Sequence, residues 1–418
     1  MGGEVQTGAP VDPLDVVLDA VVLLHVDAQS TGMTLTAVDR LNRGFGTEAT
    51  LVPSWPALQL IGSDGSVRVA GVSPTAVNMR RVATAMAAID AAQDGPLDPV
   101  DVRRQLTAAQ REPVSNTWLF ATACATGAGA LAVLFGTHDP LTVAIVALSA
   151  ALGGLARRGV DRLGGGILTQ AFTAALVAGL GGVAAHHVGI PDALGLVVLC
   201  PAMVLVPGPH ILNGALDLLA LRITLGLGRL GYAALILVAI ATGLILGVAA
   251  GGLTISVAQP ATSVPLWVDV IAAGVAAGSY PVFFSMPYRM IGWPVGFGML
   301  AHAAHWWLLG IGRVDLATAG LVSCLIIGAL LVPVSHRLRI PFAAIGFASV
   351  VAMVPGVFVF RMLSGLVQFA SAPSPELLTS LCSDGAVAVL VIAGLATGLA
   401  VPMHAYAVFS AASDKRRI

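Results

Sequence analysis

Charged residues are scarce in this sequence. Only 10% of its 418 residues are Asp, Glu, Lys or Arg, whereas 57% are hydrophobic, and the formal net charge is −1. Ordinary soluble domains carry about 25% charged residues, so this composition excludes a wholly soluble globular protein. The only basic cluster is the terminal Lys415-Arg416-Arg417, which argues against nucleic acid as a partner.

Cysteine is also rare. The four cysteines are far apart, and three of them lie within apolar stretches: Cys124, Cys200, Cys324 and Cys382. This spacing fits neither a disulfide framework nor a zinc site, and we expect no metal and no cofactor. The first thirty residues carry acidic residues where a secretory signal carries basic ones, so we expect no cleaved signal peptide.

The acidic residues are concentrated before about Ser115, in a part that we expect to be a cytoplasmic domain, residues 1–112. Apolar residues at helical spacing and short β-branched runs bounded by turn residues predict a small α+β domain there. The predicted helices are Pro13–Ala28, Thr34–Phe45, Thr75–Ala92 and Pro99–Arg111, and the predicted strands are Ala49–Val52, Ala57–Ile61 and Val67–Val72.

Ten hydrophobic runs follow, most of them near the length of roughly 17 to 25 residues that a bilayer core requires. They are Trp118–Phe135, Pro140–Ala156, Gly165–Ala185, Ala193–Val206, Leu230–Gly251, Leu266–Phe284, Ile291–Gly310, Leu316–Val334, Ile340–Phe360 and Gly385–Phe409. Glycine and other small residues are dense in them, as close helix packing in lipid requires. The sequence therefore predicts an α-helical polytopic membrane protein with about ten transmembrane helices.

The fourth run is halted by Pro207-Gly208-Pro209. Because proline lacks an N–H and clashes with the preceding turn, the helix must open there, and the freed backbone groups need partners. A second helix then begins, and its first N–H groups and positive dipole end favour an anionic group beside the break. Transporters build substrate sites from broken helices of this kind.

An internal repeat relates the two halves of the membrane part. Three features recur in the same order after about 150 residues: Pro207-Gly208 and Pro355-Gly356, Trp118 and Trp267, and the tetrapeptides Ala241–Leu244 and Ala396–Leu399. Since five runs per repeat is an odd number, the halves must have opposite orientations. We expect two inverted five-helix repeats, residues 113–254 (spans 1–5) and residues 255–418 (spans 6–10).

Arginine residues indicate the orientation. They cluster in the connections after the even-numbered runs, whereas the alternate connections hold only Arg313 and Arg361. By the positive-inside rule the N- and C-termini are cytoplasmic, and we expect a multi-pass protein of a bacterial cytoplasmic (inner) membrane.

The sequence resembles the bacterial threonine/serine exporter family over essentially the whole chain, in its N-terminal domain, its ten runs and the residues after the break, Asn213, Asp217, Gly226 and Arg229. It departs from that family where Pro209 directly follows Gly208 and where Leu221-Arg222-Ile223 replaces a more acidic turn. The resemblance implies export of threonine and serine driven by the proton gradient.

Asn213 and Asp217 are four residues apart on the helix after the break, so they share one face. In one interpretation they face a transport cavity, where Asp217 pairs with a substrate ammonium group or carries a proton. In the other, the helix is amphipathic, lies in the membrane interface and leaves Asp217 solvated. The candidate substrate-binding or coupling residues are Pro207, Gly208, Asn213, Asp217, Arg222, Pro355, Gly356 and Arg361.

Three further residues have two interpretations each. Arg361 follows Pro355 by six residues, as Asn213 follows Pro207; it either binds a substrate carboxylate or extends to the outer interface. His302 and His305 lie on one side of the seventh run, and they either relay protons or hydrogen-bond to neighbouring helices.

These patterns predict a secondary transporter and not an enzyme. The expected partners are a small amino acid, protons and the lipid bilayer, and a homo-oligomer is compatible with the sequence. The alternatives are an intramembrane enzyme or a channel that uses the broken-helix cavity. ATP-driven transport has no support because the sequence lacks a Walker A loop.

Overall fold

A computed structural model describes residues 11–190, 194–253, 264–338 and 342–415. The chain forms two compact units, Met1–Pro113 and Val114–Ile418. The predicted starts of the fourth and ninth runs, Ala193 and Ile340, and the basic tail residues Arg416 and Arg417 lie outside the described residues.

From residue 11 onward the N-terminal unit contains four α-helices and three strands. They are α1 Pro13–Val26, α2 Thr31–Phe45, β1 Ala49–Pro53, β2 Ala57–Gly62, β3 Val67–Gly71, α3 Met79–Asp90 and α4 Pro99–Gln110. The strands form one antiparallel sheet in the order β1-β2-β3, so the α+β prediction agrees with the structure. Helix α3 begins later than predicted because Asn78 caps it, its side chain accepting a hydrogen bond from the N–H of Arg80.

Part of the core of this unit lies between α1 and one face of the sheet. Leu58 and Leu60 of β2 are fully buried, whereas Gln59 and Ile61 between and after them are exposed, which is the alternation of a strand with one covered face. Val17 and Leu24 of α1 are also fully buried.

The second unit contains twelve helices within the described residues. They are α5 Thr117–Leu134, α6 Pro140–Arg162, α7 Ile167–His187, α8 Leu194–Val204, α9 Gly208–Leu219, α10 Ile223–Ala249, α11 Leu266–Phe283, α12 Gly292–Gly310, α13 Leu316–Leu338, α14 Phe342–Val350, α15 Gly356–Ser371 and α16 Pro375–Lys415. Seven are long and apolar enough to cross a membrane, and up to nine spans result if each of two bent pairs counts as one.

This number is lower than the predicted ten because α12, the seventh run, does not reach the apolarity of a span. It has 19 residues, which is long enough, but its histidine and tryptophan residues lower its mean hydropathy. Two helices also begin earlier than predicted: α10 at Ile223 and α16 at Pro375. Arg229 and Asp384, which the sequence placed in a connection and at a span end, therefore lie inside helices. Arg361 also lies inside a helix, because α15 continues past the predicted end of the ninth run to Ser371.

Glycine residues let α10 pack closely on α7 and let α16 pack closely on α13. A Cβ atom added at Gly243 of α10 would lie 2.4 Å from the carbonyl oxygen of Phe172, and one at Gly398 of α16 would lie 2.6 Å from that of Leu321. These glycines belong to the recurring tetrapeptides, and each has a second glycine four residues away, Gly247 and Gly394. Small residues at this spacing allow two helix backbones to touch.

The two helix breaks have nearly the same backbone geometry. Helices α8 and α9 meet at 61°, and the segment Ile345–Met353 meets α15 at 56°. In the first break Gly208 N–H donates to the carbonyl oxygen of Val206 at 2.8 Å, and in the second Gly356 N–H donates to that of Val354 at 2.8 Å. Both predicted breaks are therefore present and equivalent.

Each break packs against the helix that precedes the other break. Gly208 lies against Phe347 of α14, so closely that an added Cβ would be 1.6 Å from Cζ of that ring. Gly356 lies against Met203 of α8, where an added Cβ would be 3.2 Å from Cγ. The absence of a side chain at Gly208 is what permits Phe347 to lie against the first break.

Candidate functional site

The first break leaves a carbonyl group that another helix satisfies. In a continuous helix the oxygen of Met203 would accept from the residue four positions later, which is Pro207 and has no N–H. It accepts instead from Val206 N–H at 3.3 Å and from the hydroxyl of Tyr280 at 3.3 Å. Tyr280 is buried in α11, so a helix of the second half completes the break of the first.

A buried ion pair follows this break. Oδ2 of Asp217, on α9, lies 3.1 Å from Nε of Arg229, on α10, and Oδ1 lies 3.2 Å from Nη1 of Arg222. Asp217 is 1% exposed and Arg229 is fully buried, whereas the side chain of Arg222 is 30% exposed. Together the three side chains carry one net positive charge.

Local backbone structure brings these charges together. Helix α9 ends in a tight turn in which Leu221 has a φ of 59° and Arg222 N–H donates to the carbonyl oxygen of Asp217 at 2.8 Å. Gly226 of α10 then packs on Gly214 of α9. A Cβ atom added at Gly226 would lie 2.9 Å from the carbonyl oxygen of Gly214. This close approach allows Arg229, one turn further on, to reach Asp217.

Burial of Asp217 excludes the interfacial interpretation in which it is solvated. Asn213, one turn earlier on the same helix, is 3% exposed. His210 is buried too, and its ring centroid lies 5.0 Å from that of Tyr232 on α10. The polar face of α9 is thus covered by protein.

The second break has an ion pair with the charges reversed. Nε of Arg361, on α15, lies 3.0 Å from Oδ2 of Asp384, on α16. After the first break the acid is on the short helix and the base is on the next helix; after the second break the base is on the short helix. Arg361 does not extend to an interface, because its side chain is 12% exposed and is engaged by Asp384.

His302 hydrogen-bonds to a neighbouring helix. Its Nδ1 lies 3.1 Å from Oδ2 of Asp269 on α11, and both side chains are largely buried. The ring of His305 is 6.1 Å from that of His302 between centroids, which is too far for a direct hydrogen bond between them. Asp269, which the sequence placed at a span end, is thus part of a buried pair.

A small apolar cavity of about 130 Å³ lies beside both breaks. Val206 and Ile211 line it from the first half, and Val354, Pro355 and Gly356 line it from the second. In the described ranges no group of three or more His, Cys, Asp or Glu residues is arranged to hold a metal ion.

Sequence reasoning did not include Arg229, Asp269 or Asp384 among the site residues. The signal was available for Arg229, since an arginine followed by an apolar run of membrane length is costly unless it is paired. For Asp384 the predicted start of the tenth run was misleading, because α16 begins earlier, at Pro375. Asp269 lies in the first turn of α11, where the sequence placed it, but its burial could not be read from that position.

The fold and these buried charges define a multi-pass α-helical membrane protein. Comparison with family models adds that residues 33–250 match the model described as "Putative threonine/serine exporter" and residues 269–405 match the one described as "Threonine/Serine exporter, ThrE". The first match alone covers half of the chain, so the protein belongs to the threonine/serine exporter family. No curated protein and no solved structure matches the chain.

Proposed function

We propose that this protein exports threonine and serine across the bacterial cytoplasmic membrane in exchange for protons, with its N- and C-termini in the cytoplasm. The observation that carries the proposal is the pair of helix breaks packed side by side in a chain of this family. Breaks of this kind free backbone groups and helix N-termini for a zwitterionic substrate.

We propose further that α12 also crosses the membrane in spite of its lower hydropathy, so that the membrane unit consists of ten spans in two inverted five-helix repeats. The equal backbone geometry of the breaks supports this arrangement, and so does the packing of the fifth helix on the third helix in each half. Gly243 and Gly398 make those helix contacts. Reciprocal contacts between the breaks, Gly208 with Phe347 and Gly356 with Met203, are what a pseudo-twofold axis between them would produce.

The substrate carboxylate is proposed to bind Arg222. Two guanidinium groups face one carboxylate at this site, which leaves one positive charge for an anionic ligand, and Arg222 is the more exposed of the two. Asp217 then holds the substrate ammonium group when Arg222 turns to the carboxylate. Asn213, on the same face of α9, is suited to the substrate hydroxyl because an amide both donates and accepts.

The proposal is tested with purified full-length protein in proteoliposomes. Radiolabelled threonine and serine are compared with valine, which has nearly the shape of threonine without the hydroxyl. A site that hydrogen-bonds a hydroxyl discriminates strongly against an analogue that lacks it. We expect accumulation of unmodified threonine and serine against their gradients when a pH gradient is imposed, little flux of valine, and collapse of the accumulation on adding a protonophore.

Three results would contradict the proposal. Equal flux of valine and threonine would remove the assignment of substrate class. Flux that only equilibrates threonine would indicate a channel, and chemical conversion of threonine would indicate an intramembrane enzyme.

A further inference from the structure

We propose that the buried pair of Asp269 and His302 is the proton-binding site that couples transport to the proton gradient. This inference rests on the proposed function as a proton-driven exporter. It assigns the coupling step to a carboxylate and imidazole in the second half of the membrane unit, on α11 and α12, separate from the ion pair of α9 and α10.

The geometry fits an imidazole that takes up a proton. His302 is 6% exposed and Asp269 is 9% exposed. Because an ionised carboxylate can only accept, the 3.1 Å contact between Nδ1 and Oδ2 fits the tautomer with its proton on Nδ1. Within the described residues Nε2 of His302 is buried without a hydrogen-bond partner. That nitrogen is therefore the acceptor for an incoming proton, and the carboxylate beside it stabilises the imidazolium that forms.

The corresponding contact in the first half indicates that packing alone does not require this pair. The residues 149 and 148 positions before Asp269 and His302 are Phe120 and Gly154. These two residues are also in contact between the first and second helices of their half, α5 and α6. A Cβ added at Gly154 of α6 would lie 3.5 Å from Cε1 of Phe120 on α5. In the first half an aromatic ring packed on a glycine makes this helix contact, whereas in the second half a buried acid and a buried base make it.

Asp269 lies in the first turn of α11, and buried ionisable groups in membrane helices are costly and mark proton or ion pathways. The ion pair of Asp217 is poorly suited to the proton step, because Arg222 and Arg229 both stabilise its negative charge. Within the described residues the ion-pair partner of Asp269 is a histidine, which can bind and release a proton, whereas an arginine stays protonated in proteins.

His305 is the other titratable group near the pair, and it interacts electrostatically with both His302 and Asp269. The remaining titratable or charged groups on the described elements that pack against α11 and α12, or directly flank those elements, are Cys124, Tyr280, Tyr288, Arg289, Arg313, Asp315, Cys324 and Arg337. The side chain of His336 lies outside the described residues.

The step is a simple transfer of one proton. A proton from the outer medium adds to the lone pair of Nε2 of His302, and the neutral imidazole becomes imidazolium while its Nδ1–H bond to Asp269 is kept. After the conformational change the same proton leaves Nε2 for the cytoplasm, and the imidazole is neutral again. One proton moves inward as substrate moves outward.

The test measures two activities of the full-length protein in proteoliposomes. The first is threonine flux driven by a pH gradient, recorded together with internal pH by a trapped dye. The second is exchange of labelled for unlabelled threonine at equal pH on both sides, which needs no net proton movement. The variants are Asp269→Asn and His302→Gln, and the matched control in the same helix is His305→Gln.

We expect both variants of the pair to lose at least about tenfold of the gradient-driven flux and its accompanying pH change. Exchange should stay within about twofold of wild type, because substrate binding is intact. His305→Gln should behave as wild type in both assays.

Other outcomes separate the inference from the function on which it rests. Gradient-driven flux at the wild-type rate in Asp269→Asn and His302→Gln would overturn the proton site. So would equal loss of flux and exchange in folded variants, since that marks a purely structural pair. If the wild-type protein performs neither activity, the proposed function fails instead.

Discussion

Asp217 and Arg229 form an ion pair across two successive helices, with Oδ2 and Nε 3.1 Å apart and the arginine fully buried. Removing one partner of a buried pair leaves an uncompensated charge, which costs about 3–5 kcal/mol. Loss of transport in a variant of Asp217 therefore has two physical causes to separate, loss of a substrate contact and loss of stability.

Asp217→Asn should abolish gradient-driven threonine efflux, because it removes the charge while keeping the shape of the side chain. Asp217→Glu, which keeps the charge and displaces it by one methylene, should retain partial activity. Both are measured as efflux from cells preloaded with a threonine dipeptide, normalised to the amount of protein in the membrane. Efflux at the wild-type rate from Asp217→Asn would refute a role for this carboxylate.

A double variant separates the two causes. Asp217→Asn combined with Arg229→Gln has no unpaired buried charge, so it should regain most of the thermal stability that either single variant loses. Transport should stay absent in the double variant if Asp217 contacts substrate. Recovery of transport together with stability would instead make the pair purely structural.

Close packing of α10 on α7 provides a second prediction. Gly243→Leu places a side chain where an added Cβ already lies 2.4 Å from the carbonyl oxygen of Phe172, so the helices must separate and the protein should lose several degrees of thermal stability. Gly231→Leu is the matched control on the same helix, because nothing lies within 4 Å of an added Cβ there. Equal melting temperatures of the two variants in detergent would argue against the packing described.

The proposed topology is tested by cysteine labelling in a background without the four native cysteines. A cysteine at Gly159, near the end of α6, should be shielded from an impermeant thiol reagent in intact cells. A cysteine at His187, the exposed last residue of α7, should be labelled. Cysteines at His336 and Gln259 extend the test to the cytoplasmic and outer sides; Gln259 lies outside the described residues. Labelling of 159 and 187 from the same side would contradict the span count.

Asp27 in the N-terminal unit predicts a pH effect on stability. Burial raises the pKa of this carboxyl from 3.8 to about 6. The positive charge of Arg81, whose Nη1 lies 3.8 Å from Oδ1 of Asp27, acts in the opposite direction and lowers the pKa. The folded state binds the proton of Asp27 more tightly than the unfolded state does, so protonation of this carboxyl stabilises the unit. That stabilisation is fully present below about pH 4 and is lost as the pH rises through about 6. From pH 8 to pH 5 the unit should gain about 1 kcal/mol from this group.

Hydrogen exchange of α1 and α3 in the full-length protein measures that gain. Asp27→Asn should increase protection at pH 8 and remove the dependence on pH between 5 and 8. Asp64→Asn is the control, since a hydrogen bond from Ser66 lowers the pKa of that exposed carboxyl and it stays ionised over this range. An unchanged pH dependence in Asp27→Asn would contradict the assignment.

Most of the local structure could be predicted from the sequence. Periodicity and turn residues predicted the four α-helices and three strands described for the N-terminal unit. Pro207 and Pro355 predicted the two breaks, because proline imposes its effect on the backbone wherever it lies. The contact between Gly243 and Phe172 could not be predicted, although the repeated tetrapeptide indicated that its glycine mattered.

The pairing of the charged residues could not be predicted from the sequence. Arg229, Arg361 and Asp384 flank the predicted apolar runs, and flanking charges are normally solvated. Their burial depends on which residue the next helix presents at the same depth, and that depends on helix starts and on close approaches such as that of Gly214 and Gly226. Those distances arise from tertiary packing, which a hydropathy pattern does not contain.

The contact between Gly208 and Phe347 constrains how this family can change over time. Any residue larger than glycine at position 208 would overlap the aromatic ring, so a substitution there is tolerated only with a smaller residue at 347. The two positions, 139 residues apart in the chain, should therefore vary together across related exporters. A lineage that has lost the ring should be free to lose the glycine, whereas the glycine should not be lost while the ring is retained.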